Sequence, residues 1–201
     1  MYNWRHMPPE QRAEVLKRRQ GSGLPWHGPP HRCGESRDYH LDAANYEHRP
    51  VLGASLERLV EFEALLLEAF RRSAAVVYAW CVLPNHYHAL VHAPEVMALL
   101  DELGRLHGRT SRCWNLADSQ VGRKCWHRAV ERAIRSERHF WATLNYVHHN
   151  PVHHGYTTRW QDWPCSSAAA YLSAVGRDVA ERNWRAFPVR NYGRGWDAPA
   201  M

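Results

Sequence analysis

An almost unbroken apolar run from Val76 to Val82 has the length of a buried strand, and His86 to Val91 reads as its continuation beyond Pro84-Asn85. Proline cannot donate to a ladder, so the pattern predicts a bulge or bend at that dipeptide, re-aiming the histidine-bearing half of the strand. Tyr39 to Ala44 reads as a first strand. Trp126 to Ile134 alternates Trp126, Arg128, Val130, Arg132 and Ile134 as a strand would, although its Ala and Arg content also suits a helix. The helical period takes over elsewhere. Leu59, Phe62, Leu66 and Phe70 share one face of a helix that Ser55 can N-cap. A second helix, from about Glu95 to Trp114, turns Leu99, Leu103 and Leu106 toward a core. A third opens at Ser136 and runs from about Glu137 to His149; Pro151 disfavours the α conformation at Asn150 and should end it there. A short helix is expected around Ala168 to Ala174, and from Arg177 onward the pattern assigns nothing.

Strands with long amphipathic helices between them predict an α+β fold. We expect an RRM- or ferredoxin-like antiparallel sheet with helices packed on one face. Residues 36–175 form the expected domain, with 1–35 an N-terminal extension and 176–201 a C-terminal tail. Within the extension a short helix is plausible from Pro9 to Gln20. The Gly- and Pro-rich stretch from Gly21 to Pro30 is too broken for regular structure.

At 201 residues the chain can bury one substantial core. No apolar run reaches the roughly 20 residues of a membrane span, and the N-terminus lacks the apolar stretch of a signal peptide, so a cytoplasmic location is expected. The five cysteines are scattered without a C-x-x-C pair, which argues against a disulfide framework and a zinc knuckle. A net charge of +6 suits a polyanionic partner, and the ten tryptophans and nine tyrosines offer stacking surface for unpaired bases. Arg105, Arg109 and Arg112 follow a helical spacing away from the apolar face. Together with Arg128 and Arg132 they are either a solvated surface or a DNA contact.

The chemistry concentrates in two places. His86 and His88, at i and i+2 of a strand, project to the same face while Tyr87 turns to the other. Two adjacent imidazoles can hold one divalent metal if a third group arrives. Tyr146 and Asn150 are four apart and share one face of the third helix. Packed over the histidine strand, that face would let Asn150 complete a site of two imidazoles and an amide oxygen. Such a donor set suits Mg²⁺ or Mn²⁺, with water and a phosphate oxygen in the remaining positions. A phenol is only about one-thousandth ionised at neutral pH, so Tyr146 needs help to act as a nucleophile. His148, His149, His153 and His154 crowd the region, and spacing does not choose among them as a base.

The stretch from Tyr78 to Val91, with Leu83-Pro84-Asn85-His86-Tyr87-His88, resembles the M/L-P-N-H-x-H strand of single-tyrosine HUH transposases. Tyr146-Val147-His148-His149-Asn150-Pro151-Val152-His153-His154-Gly155 resembles the Y-I-H-x-N-P-V-x-x-G signature of their REP-associated branch, and Asp162-Trp163-Pro164-Cys165-Ser166-Ser167 the D-W/Y-P-W-S-S found downstream in it. Trp126-His127-Arg128 and Ile134 to Phe140 fall where that branch has its W-x-R and I-x-S-x-x-H segments. The resemblance implies the HUH nuclease fold, His86 and His88 as metal ligands with Asn150 as the third, and Tyr146 as nucleophile. It also implies cleavage of single-stranded DNA through a 5′-phosphotyrosine, beside a palindromic repeat hairpin, by a monomer or homodimer. The competing reading is an RRM-like module that binds single-stranded nucleic acid without cutting it.

Overall fold

Strand β1 (Asp38–Ala44) sends Tyr39, Leu41 and Ala43 to one side and His40 and Asp42 to the other. The same alternation governs β3 (His86–His92), where Tyr87, Ala89 and Val91 face one core and His86, His88 and Leu90 the opposite side. With β2 (Val76–Leu83) and β4 (Val130–Ala133), these strands form an antiparallel sheet in the order β2-β3-β1-β4. The computed structural model describes residues 37–190 and Tyr192, with isolated positions 8, 10, 13, 14 and 17. The N-terminal helix and irregular stretch expected from sequence otherwise lie outside the described residues.

Pro84-Asn85 is not a bend in a continuing strand. Leu83 pairs with His86, so the two residues are the turn of a hairpin and β3 runs back beside β2. Proline presets the backbone for a turn corner, and its missing N–H costs the ladder nothing there. Gly53 packs under this turn and donates its N–H to the Pro84 carbonyl at 2.7 Å. A Cβ on Gly53 would lie 2.3 Å from Pro84 Cβ, so no other residue fits without displacing the hairpin.

Helices α1 (Leu56–Arg72) and α2 (Val96–Ala117) cover one face of the sheet, as expected. Ser55 caps α1, its Oγ accepting from the Arg58 N–H. Phe62 of α1 stacks on Trp126 at 5.1 Å and meets Tyr87 and Trp114 at 5.7 and 5.8 Å. Full burial of one such large apolar side chain contributes about 1.5–3 kcal/mol. The strand expected over Trp126 to Ile134 is regular only at Val130–Ala133; Trp126 makes an isolated bridge to Asn45.

Helix α3 (Glu137–His153) packs on the other face, against β2 and β3, through Leu144, Tyr146 and Val147, so the helices cover both faces of the sheet rather than the one face expected. Ser136 Oγ accepts from the His139 N–H as its N-cap. The helix does not stop before Pro151. It continues to His153 and ends where Gly155, at φ 73°, allows a left-handed residue. Tyr156 N–H reaches the Pro151 carbonyl and Gly155 N–H the Val152 carbonyl, the paired bonds of a Schellman motif. Proline this close to the end forgoes one hydrogen bond and is tolerated.

The segment from Trp163 to Ser167 straps along β2. Val82 N–H donates to the Cys165 carbonyl at 2.8 Å, and Trp163 Nε1 to the Val82 carbonyl at 2.8 Å. Ser167 Oγ accepts from Trp80 N–H and lies 2.9 Å from His148 Nε2, tying α3 to the sheet. Helix α4 (Ala168–Val175) is the short helix expected there, and α5 (Arg177–Ala186) packs against α3 and α4, which gives structure to the stretch from Arg177 that the sequence pattern leaves unassigned. Among the described residues no helix is long and apolar enough to cross a membrane.

Candidate active site

Register brings the polar positions of two strands onto one patch. Asp42 lies opposite His88 and Ala44 opposite His86, so His40, Asp42, His86 and His88 all project from the face that α3 covers. The strands are central and α3 lies above them, which removes the site from bulk water. His40, His86, His88, Asn150 and Tyr146 are all buried, none more than 4% exposed.

All four residues expected to carry the chemistry meet there. His86 Nε2 lies 3.1 Å from Asn150 Oδ1, and its Nδ1 lies 2.7 Å from Asn85 Oδ1. Tyr146 Oη is 3.4 Å from His88 Nε2, and the two rings stand edge to face at 5.0 Å. The His86 and His88 rings are 4.9 Å apart. Among the described residues, Asn150 Nδ2 is buried with no hydrogen-bond partner. An imidazole nitrogen 3.1 Å from an amide oxygen, with a second imidazole ring 4.9 Å away, offers donors of the kind that suit a divalent cation.

The structure adds groups that sequence reasoning passed over. His40 Nε2 lies 3.2 Å from His88 Nδ1 and so orients the ring whose far nitrogen faces Tyr146. His40, Asp42 and His88 each offer a ligand atom within 4.8 Å of the others and form a second donor group that could hold a metal ion. Asp42 is also ion-paired to Arg132. The i, i+2 spacing of His40 and Asp42 in β1 repeats that of His86 and His88 and was the available signal. Tyr192 closes the other side, its hydroxyl 2.6 Å from Thr143 Oγ1 and 3.4 Å from His40 Nδ1, its ring 5.3 Å from Tyr146. Burial pushes its phenol up to about 12.

The candidate bases separate. His148 is buried against Ser167 and Trp160, and desolvation lowers it to about 3. His149 lies tilted against Trp184, and burial together with His153 lowers its pKa. His154 is the member of the quartet whose ring lies against His86, at 4.9 Å.

The five arginines do not form one surface. Arg132 lies at the rim of the site on Asp42. Arg128 lines an open groove with Gly104, Gly108 and Lys124. Arg105, Arg109 and Arg112 are exposed on α2, which covers the sheet face opposite the histidines, and Arg105 pairs with Glu102 at 2.9 Å.

Residues 36–150 match the family described as Transposase IS200 like. A protein of Haemophilus influenzae carrying the name REP-associated tyrosine transposase is 33% identical over 121 residues, covering 55% of this chain and 66% of that protein. The Escherichia coli REP-associated tyrosine transposase is 31% identical over 110 residues, 52% of this chain and 56% of that one. The matches thus span less than two thirds of either relative. The solved structure of a REP-associated tyrosine transposase bound to a REP hairpin superposes with a TM-score of 0.56 at 19% identity, covering 73% of this chain and 86% of that one. At that identity the likeness is one of fold.

Proposed function

Because the chain belongs to the IS200-like transposase family, we propose that it is a metal-dependent single-stranded DNA endonuclease and strand transferase whose nucleophile is Tyr146. The observation that carries this reading is the placement of Tyr146 Oη 3.4 Å from His88 Nε2, inside a buried cluster that also holds His86 and Asn150. Tyr146 Oη attacks phosphorus and gives up its proton to a neighbouring base or solvent, while the bond to the 3′ oxygen breaks and that oxygen takes up one proton in exchange. The products are a 5′-phosphotyrosine and a free 3′-hydroxyl. Because the phosphodiester is exchanged rather than hydrolysed, the 3′-hydroxyl of another strand can reverse the attack and join.

His86, His88 and Asn150 would hold Mg²⁺ or Mn²⁺, which when bound would polarise the scissile phosphate and stabilise the charge developing on it. His40 holds the direction of the His88 ring through its Nδ1. Tyr192 packs beside Tyr146 and limits the rotation of its ring. The substrate we assign is single-stranded DNA beside a palindromic hairpin, in line with the REP hairpin held by the solved relative.

The test is an end-labelled repeat hairpin with a single-stranded flank, incubated with Mg²⁺ or Mn²⁺ and run on a denaturing gel. Wild type should give a protease-sensitive covalent adduct that needs the cation, and Tyr146→Phe should give none. Binding without cleavage by both proteins, across several repeat sequences, would make the chain a binding module instead.

A further inference from the structure

On the flank of α3 that turns away from the histidines, a cavity of about 370 Å³ opens between α3, the turn at Trp160, α4 and α5. Its walls are aromatic. Trp160 and Tyr171 lie against the His148 ring at 5.9 and 5.0 Å, and Trp184 against His149 at 4.8 Å. Arg177 and Arg185 stand among its lining residues, and Glu181 pairs with Arg185 at 2.9 Å. Trp184 remains 38% exposed, so the aromatic wall is open to solvent rather than sealed in a core. Asn145 and His149, which also line it, immediately precede Tyr146 and Asn150 on the same helix.

We infer that this cavity seats an unpaired nucleobase of the DNA strand whose phosphate meets Tyr146. The inference rests on the function proposed above and adds a second contact for that strand. A volume near 370 Å³ is that of a small-ligand pocket. Indole and imidazole faces stack on any base, and two guanidiniums meet the adjoining phosphates. Glu181 supplies an acceptor charge on the wall. A carboxylate there accepts from exocyclic amino groups, so it favours adenine, cytosine or guanine over thymine, whose single N–H lies between two carbonyls. Because Asn145 and Tyr146 are adjacent on α3, the seated base belongs to a nucleotide close to the scissile phosphate.

The experiment uses the full chain with Tyr146→Phe, so that binding is read without cleavage. Its probe is the repeat hairpin that supports adduct formation in the wild type, with each flank position made abasic in turn. One position should lose on the order of tenfold in affinity, as stacking of one base is worth. That loss should vanish when Trp184→Ala is added. Arg177→Glu, an exposed change that spares the aromatic wall, should weaken binding and flatten its salt dependence, and it keeps the test open if Trp184→Ala fails to fold. A flat abasic scan overturns the inference, as does a sensitive position that neither variant alters, and both leave the nuclease reading standing. Failure of the wild type to form any adduct would remove both.

Discussion

Two tyrosine–histidine contacts, one on each face of the same sheet, separate a structural pair from a reactive one. On the face under α1 and α2, Tyr87 Oη lies 3.2 Å from His107 Nε2, among Phe62, Trp126 and the apolar side of β3. On the face under α3, Tyr146 Oη lies 3.4 Å from His88 Nε2, but with a second imidazole, an amide and a further strand of donors around it. Both pairs are buried, so burial does not distinguish them. Their neighbours do. Desolvation raises the Tyr87 phenol far above its ordinary value and lowers His107 to about 3, which locks both in their neutral forms. A hydroxyl so placed is a hydrogen-bonded core group. At the other pair a second imidazole, an amide oxygen and a histidine–aspartate pair from β1 gather around the contact, and that convergence makes a site.

The largest effect should come from deleting the two hydroxyls. Tyr146→Phe should lower cleavage by at least about a thousandfold while moving the denaturation midpoint little, since removing a nucleophile eliminates the covalent route. Tyr87→Phe should do the reverse, leaving cleavage intact and costing about 1–3 kcal/mol because His107 loses its buried partner. Gel assays and urea melts of the two variants, side by side, decide the matter. Comparable loss of cleavage in both would erase the distinction.

Phe62→Ala should cost about 3–5 kcal/mol, the usual result of removing a fully buried ring, and should appear as a fall in melting temperature. Adduct formation per folded molecule, measured in the cold, should stay near wild type. Cation affinity sharpens the contrast within the reactive face. Asn150→Ala should weaken Mn²⁺ binding by calorimetry about tenfold or more, and Asp42→Asn much less. The opposite order would place the ion on His40, Asp42 and His88.

The smallest effect is in pH. A folded pKa of about 3 for His107 lies below the unfolded value near 6.5, so between those values the unfolded chain binds the extra proton. Stability from this group is full above about pH 6.5 and falls as pH drops, by up to about 1.4 kcal/mol per unit. His107→Phe should flatten that part of the urea-midpoint profile. An unchanged slope would show that His107 is not what links stability to pH there.

The elements with strong local periodicity were legible in the sequence. Ser55 and Ser136 mark their helices because a cap is a local device, and the helical faces of Leu59 and Leu99 follow from spacing alone. His86 and His88 were legible because i and i+2 share a strand face whatever the register. His40 and Asp42 have the same spacing, yet their place at the site depends on β1 pairing with β3, a contact 48 residues apart for His40 and His88. Pro84-Asn85 defeats a local reading because reversal and bending use the same residue types. Pro151 misleads for a related reason, since a proline rule weighs one residue while the Schellman bonds at Gly155 set the end of the helix. Tyr192 has no periodic or motif signal, and only the folded chain brings it to Tyr146.

The most direct test of the central claim is to trap the protein–DNA adduct with the repeat hairpin and Mn²⁺, digest it, and map the modified peptide by mass spectrometry. The account predicts a nucleotide phosphate on Tyr146, in the peptide containing Val147-His148-His149-Asn150. A phosphate on Tyr192, whose ring lies 5.3 Å away, or on any other residue would contradict it.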